Sequence, residues 1–187
     1  MTLNMSDIRA IILDRDGVLI EDKNYTYKIE EFELLPGVIN GLSRLAKNFL
    51  LFIVTNQYGI GKGYYTIEDF YRFNNYLVKI LNQNRIEIEN TFFCPHLKEE
   101  NCTCRKPKQQ FMNEIRDGWN VSLEKSWMIG DHPSDIAFGK NGGCHTIFLT
   151  TGHGKEHLED FQEIGIEPDF IFNDFLTAAK KIIELSF

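Results

Sequence analysis

The sequence is short of positive charge. Its 20 Lys and Arg are outnumbered by 27 Asp and Glu among 187 residues, for a formal net charge of -7. Proteins that bind nucleic-acid backbones need clustered excess cations to displace counterions, so that class is disfavoured. An anionic small molecule remains compatible with the balance, provided a bound cation offsets the local charge. Long apolar runs are also missing, since no stretch approaches the roughly 18 residues needed to cross a bilayer. The opening "MTLNMSDIRA" has no basic region followed by an apolar core, which argues against a secretory leader and makes the cytoplasm the default location. Cysteine is scarce: Cys94, Cys102, Cys104 and Cys144 are too few and too unevenly placed for a disulfide framework. Internal repeats and low-complexity tracts are absent. A chain of this length buries one good core and falls short of two ordinary domains, so one domain over residues 1–187 is expected, without nucleic acid or membrane as partner.

What is present alternates regularly. "AIILD" (10–14) and "FLLFIVT" (49–55) read as strands buried on both faces, and between them Val38, Leu42, Leu45 and Phe49 share one helical face behind Pro36 and Gly37. Thr66 with Asp69 forms a capping-box start for a helix that aligns Phe70, Phe73, Leu77 and Leu81. Further strands are expected at 90–94, 126–130, 145–149 and 169–172, with helices near 108–118, 134–141 and 174–185. Buried strands separated by helices give an α/β three-layer sandwich with a mostly parallel, Rossmann-like central sheet, whose ligands bind beyond the carboxyl ends of the strands. Residues 17–35 lack periodicity and read as a flap beside the first strand.

Polar side chains gather at those strand ends. Asp14 and Asp16 close the first strand, Thr55 and Asn56 the second, and Asp131 and Asp135 follow the fourth. Asp and Asn often initiate turns, but that explanation weakens when the pattern recurs at three strand ends. A second cluster, "CPHLKEENCTCRKP", offers Cys94, His96, Cys102 and Cys104, the three thiolates and one imidazole of a closed, structural Zn²⁺ site. Pinning this polar loop would position Arg105 and Lys106, which follow its last ligand. Cys144 reads as a small buried residue.

The segments "LDRDG", "VTNQYGIGKG", "CRKPK" and "MIGDHPSD", in this order, resemble the four motifs of the haloacid dehalogenase superfamily of phosphohydrolases. The resemblance implies Asp14 as a nucleophile forming an aspartyl-phosphate, and Asp16 as general acid and base. It implies Mg²⁺ held by Asp14, the Asp16 carbonyl and Asp131, with Asp135 behind them. Thr55 and the Asn56 N–H would hold phosphoryl oxygens, and Lys106 would neutralise transition-state charge. The thiol loop followed by Arg-Lys-Pro is similar to the zinc-containing branch that holds D-glycero-D-manno-heptose 1,7-bisphosphate 7-phosphatases and histidinol-phosphate phosphatases. "GKGYYTIEDF" and "DRDGVLIEDKNYTYKIEEFELLPG" resemble the heptose enzymes, so removal of a 7-phosphate from a phosphorylated sugar is the expected activity. The short gap inside the thiol loop keeps histidinol phosphate or another small phosphomonoester open, and an inactive phosphate-binding or zinc module is the non-enzyme alternative.

Departures from the heptose pattern are Ile20, Asn24-Tyr25-Thr26, Tyr58, Lys62 and His132, several of them expected at the flap and pocket mouth. Arg105 and Asn56 are expected against the substrate, with Lys62 or His132 adding charge for a remote phosphate. The spacing between motifs leaves no room for a large cap domain, and a monomer is the working expectation. "TTGHGKEH" (150–157) reads as a surface loop.

Overall fold

A computed structural model describes residues 8–186, so the reading of the first seven residues as free of a leader lies outside the described part. In chain order the elements are β1 (Ala10–Leu13), α1 (Val38–Leu45), β2 (Leu50–Asn56), α2 (Tyr58–Gly61), α3 (Ile67–Gln83), β3 (Asn90–Cys94), α4 (Gln110–Trp119), β4 (Trp127–Gly130), α5 (Pro133–Gly142), β5 (His145–Leu149), α6 (Asp160–Ile164), β6 (Phe170–Phe172) and α7 (Phe175–Ser186). The strands form one 6-stranded sheet ordered β3-β2-β1-β4-β5-β6. Every neighbouring pair is parallel.

The two-residue period of the strands divides the core into layers. Ile11, Leu13, Leu51, Ile53, Trp127 and Ile129 face α1, α3 and α7. Ala10, Ile12, Phe52, Val54 and Met128 face α4 and α5 through Phe111, Met112, Ile115 and Phe138. Phe52 is fully buried, and truncating it to Ala would cost about 3–5 kcal/mol. Helix α3 starts with the expected capping box, the Asp69 N–H donating to Thr66 Oγ1 at 3.1 Å and the Thr66 N–H to Asp69 Oδ2 at 2.9 Å. Among the described residues no large cap interrupts this three-layer α/β arrangement.

Three local expectations are corrected. Phe49 does not belong to the first helix, which ends at Leu45; it sits in the following turn and reaches the same core cluster from there. Residues 17–35 are a flap only in part: Asp22, Asn24, Tyr25 and Thr26 do lie at the pocket, but the stretch before them belongs to the core. Val18, Leu19 and Ile20 are completely buried, and isolated bridges Asp16↔Ile20 and Ile20↔Leu34, outside the sheet, tie the segment to itself, so Ile20 is a core residue and not part of the pocket mouth. Helices α2 and α6, only four and five residues long, fall where the periodicity is too short to register.

The chain reverses its direction of winding between β1 and β4. In open parallel sheets this leaves a crevice at the carboxyl ends of those two strands.

Candidate active site

A cavity of about 670 Å³ opens at that crevice, lined by Asp14, Asp16, Thr55, Asn56, Asp131 and Asp135 together with Arg105 and Lys106. Residues from four separate stretches of sequence therefore share one space. Asp131 directly follows β4, whereas Asp135 sits in the first turn of α5, where its Oδ2 accepts the His132 N–H at 3.1 Å and caps the helix.

Electrostatically the site is crowded with like charge. Carboxylate oxygens of Asp14, Asp131 and Asp135 lie within 4.8 Å of one another, and all three residues are buried. Lys106 answers two of them, its buried Nζ standing 2.7 Å from Asp14 Oδ1 and 2.7 Å from Asp135 Oδ1 while also donating to the Val54 carbonyl at 2.6 Å. Burial alone would lower the Lys106 ammonium, but Asp135 and Asp14 reverse that and hold it above the usual lysine range. Burial pushes the Asp14 carboxyl up to about 7 against the pull of Lys106, with Asp135 and Asp16 adding to the rise. Asp131 is raised well above the ordinary carboxylate range, first by burial and then by Asp14 and Asp135. Buried carboxylates that cannot comfortably ionise together mark a place where a hard cation with oxygen ligands fits.

The Asn56 side chain has a task of its own. Its Oδ1 accepts the Lys106 N–H at 3.1 Å and its Nδ2 donates to the Lys106 carbonyl at 3.4 Å, so it clasps the lysine backbone. Arg105 does line the cavity, with its guanidinium over the Tyr58 ring at 5.4 Å and its buried Nη1 left without a protein partner. Tyr58 and His132 also line the cavity; Lys62 does not, its ammonium lying over the Tyr58 ring at 4.4 Å on the outside. The cation missed in its place is Lys98, from the thiol loop.

Sequence reasoning missed two further groups. Residues 150–157 are part of the site: the His153 N–H donates to Asp131 Oδ2 at 3.2 Å, the Thr151 hydroxyl to the Gly17 carbonyl at 2.6 Å, and His153 and His157 line the cavity. A Cβ built on Gly17 (φ 74°) or Gly152 (φ 51°) would overlap the Asp131 carboxylate, so both positions need glycine for space and for backbone conformation. The second group is Arg15 with Gln57 and Tyr65. Arg15, 1% exposed, clamps Asp16 through Nε at 3.1 Å and Nη2 at 2.9 Å, and Gln57 donates to the same carboxylate at 2.8 Å. The signal available was an arginine between two acids at the end of a buried strand.

The thiol cluster lies beside this cavity because Cys94 ends β3, opposite Asn56 at the end of β2. Cys94 Sγ is 3.6 Å from Cys102 Sγ and 3.6 Å from His96 Nδ1, and His96 Nδ1 is 3.2 Å from Cys104 Sγ. Sulfurs around a tetrahedral zinc at about 2.3 Å stand roughly 3.8 Å apart, close to this spacing, and the cysteines are unpaired as disulfides. Burial works against ionising Cys102, yet backbone N–H groups of Arg105 and Cys104 bring its thiol down to about 7. Cys144 is buried elsewhere, its thiol against the Met112 sulfur at 3.9 Å.

A family model described as HAD-hydrolase-like matches residues 103–178. The D-glycero-alpha-D-manno-heptose-1,7-bisphosphate 7-phosphatase of Campylobacter jejuni is 43% identical over 150 residues, spanning 79% of this chain and 86% of the relative. The D-glycero-beta-D-manno-heptose-1,7-bisphosphate 7-phosphatase of Helicobacter pylori is 36% identical over 169 residues, spanning 86% of this chain and 97% of the relative. Among solved structures, the D,D-heptose 1,7-bisphosphate phosphatase of B. bronchiseptica, complexed with magnesium and phosphate, superposes with a TM-score of 0.86 at 26% identity and covers 95% of this chain and 99% of its own.

Proposed function

The chain belongs to the family of D-glycero-D-manno-heptose-1,7-bisphosphate 7-phosphatases, and we propose that it is itself a phosphomonoesterase removing the 7-phosphate of that sugar through an aspartyl-phosphate on Asp14. The observation that carries the reading is the buried Lys106 ammonium, held between Asp14 and Asp135 with Asp131 alongside, in a chain 43% identical to such an enzyme.

Asp14 attacks phosphorus as the bond to the sugar oxygen breaks, and Asp16 delivers a proton to that oxygen. Water then attacks the aspartyl-phosphate, Asp16 takes its proton, and orthophosphate and the Asp14 carboxylate are regenerated. The Thr55 hydroxyl and the Asn56 N–H hold phosphoryl oxygens, Lys106 offsets developing charge, and Arg105 with its unpartnered Nη1 faces the rest of the substrate. The acidic trio fits Mg²⁺: Asp14, Asp131 and the Asp16 carbonyl would hold it, with Asp135 kept behind them by Lys106 and the α5 cap. When bound, the ion supplies the positive charge that lets a phosphate dianion approach buried carboxylates.

Cys94, His96, Cys102 and Cys104 are read as a structural Zn²⁺ site that fixes Lys98, Arg105 and Lys106. Free thiols suit a reducing compartment, so the reading places the protein in the cytoplasm. One sheet and one chain carry every residue named, so a single domain over 1–187 and a monomer suffice.

The test is orthophosphate release from both anomers of heptose 1,7-bisphosphate and from histidinol phosphate. A kcat/KM ordering that favours histidinol phosphate, or activity that survives in Asp14→Asn, would overturn the reading.

A further inference from the structure

Gln57 lies one residue beyond β2 and is 3% exposed. A buried primary amide has two donor hydrogens and one acceptor oxygen, and its surroundings decide which end faces which way. Here both sides agree. Arg15, which can only donate, points Nη2 at Oε1 from 3.2 Å, and the Tyr65 hydroxyl donates to the same oxygen at 2.5 Å. Nε2 donates to Asp16 Oδ2 at 2.8 Å. Turning the amide over would oppose donor to donor at Arg15 and acceptor to acceptor at Asp16, inside a low-dielectric interior where both contacts are costly.

The second hydrogen on Nε2 goes to Thr55 Oγ1 at 2.8 Å. Thr55 thus accepts from Gln57, which leaves its single hydroxyl hydrogen free to donate, and Thr55 lines the cavity beside Asp14. The frame behind the amide is stiff. Arg15 grips Asp16 at both oxygens, donates to the Thr26 carbonyl at 3.1 Å, and is packed over the Phe70 and Phe73 rings of α3 at 5.4 and 5.0 Å. Burial raises the Tyr65 phenol above its usual range, which keeps it a donor.

We propose that Gln57, oriented by Tyr65 and Arg15, is a positioning residue with two outputs: it holds the Asp16 carboxylate in line for proton transfer, and it fixes the Thr55 hydroxyl as a donor toward the transferring phosphoryl group. The proposal deepens the phosphatase reading and rests on it.

Two esters separate positioning from mere structure. A sugar phosphate needs a proton on its leaving oxygen, whereas p-nitrophenyl phosphate expels a stable anion without one. In Gln57→Leu, single-turnover phosphoryl transfer should fall on the order of 100-fold for heptose bisphosphate and no more than about tenfold for p-nitrophenyl phosphate, because misplacing a catalytic group costs rate only where that group acts. Affinity for orthophosphate, measured by calorimetry, should fall several-fold through Thr55. Tyr65→Phe, which removes only the hydroxyl behind the amide, should give the same pattern at smaller amplitude, and it carries the test alone if Gln57→Leu does not fold. Equal losses on both esters, or no loss on either, would overturn the proposal while leaving an active wild-type phosphatase. A wild-type protein inert toward both esters would overturn the phosphatase reading and the proposal together.

Discussion

At the carboxyl ends of β1 and β4, Asp14, Asp131 and Asp135 crowd together, with one buried lysine between Asp14 and Asp135; at the end of β3, three cysteines and a histidine crowd together in another cluster. Both groups could hold a metal, and they differ in what they ask of it. The oxygen cluster already has Lys106 and a scaffold of helix caps and strand ends, so its burden is repulsion. The sulfur cluster is carried by a polar loop whose only regular element is a three-residue 3-10 turn, Lys98–Glu100, so its burden is order. One metal would serve chemistry and the other would serve shape.

Substitution at Asp14, the proposed nucleophile, cuts deepest into this contrast. Asp14→Asn should lower kcat on the order of 10⁴-fold or more, and yet leave the thermal midpoint unchanged or higher, because it removes one acid from a buried acidic group. Steady-state kinetics beside calorimetry checks it, and a large drop in the midpoint would erase the distinction between the clusters.

Next in size is a pH effect confined to the oxygen cluster. The Asp14 carboxyl is raised to about 7 in the folded, metal-free protein, above its ordinary 3.8. A raised carboxyl favours the fold fully below its ordinary pKa, and that contribution disappears as pH climbs through about 7. Metal-free protein should therefore lose up to about 4 kcal/mol from this group between pH 4 and pH 8, as read from urea midpoints. Mg²⁺ should restore the loss at the high end, and Asp14→Asn should flatten the profile.

Stripping the proposed zinc with a chelator, or replacing Cys104 with Ala, should reduce kcat on the order of 100-fold by releasing Arg105 and Lys106, with metal analysis before and after showing whether an ion is lost. If kcat is untouched, the loop does not position the site. The smallest effect belongs to the thiol outside the cluster: Cys144→Ala should leave zinc content unchanged and cost about 1 kcal/mol or less in stability.

The same contrast explains what could be read in the sequence. Each thiol-cluster ligand lies within 94–104, and Asp14 with Asp16 sits at the end of a recognisable strand, so short-range spacing revealed both. Strand periodicity likewise gave the sheet and its layers, because strands buried on both faces leave continuous apolar runs. The 150–157 loop was not legible, since its hold on Asp131 and Gly17 exists only once β5 is placed beside β4 by the winding of the sheet. Nor was the Gln57 amide, whose partners Arg15 and Tyr65 arrive from β1 and the approach to α3. Lys62, offered for a remote phosphate, falls outside the cavity lining because local sequence does not say which side of a turn meets the cavity.

The Lys106 ammonium that pairs with Asp14 is 92 positions further along the chain, and the strand that completes the crevice comes later still. A ribosome adding roughly 5–20 residues per second would leave Asp14 without Lys106 for several seconds. During that interval β1 has β2 as its only sheet neighbour and presents a bare edge where β4 will dock. The pocket is therefore complete only once β4 has been made and docked, late in synthesis.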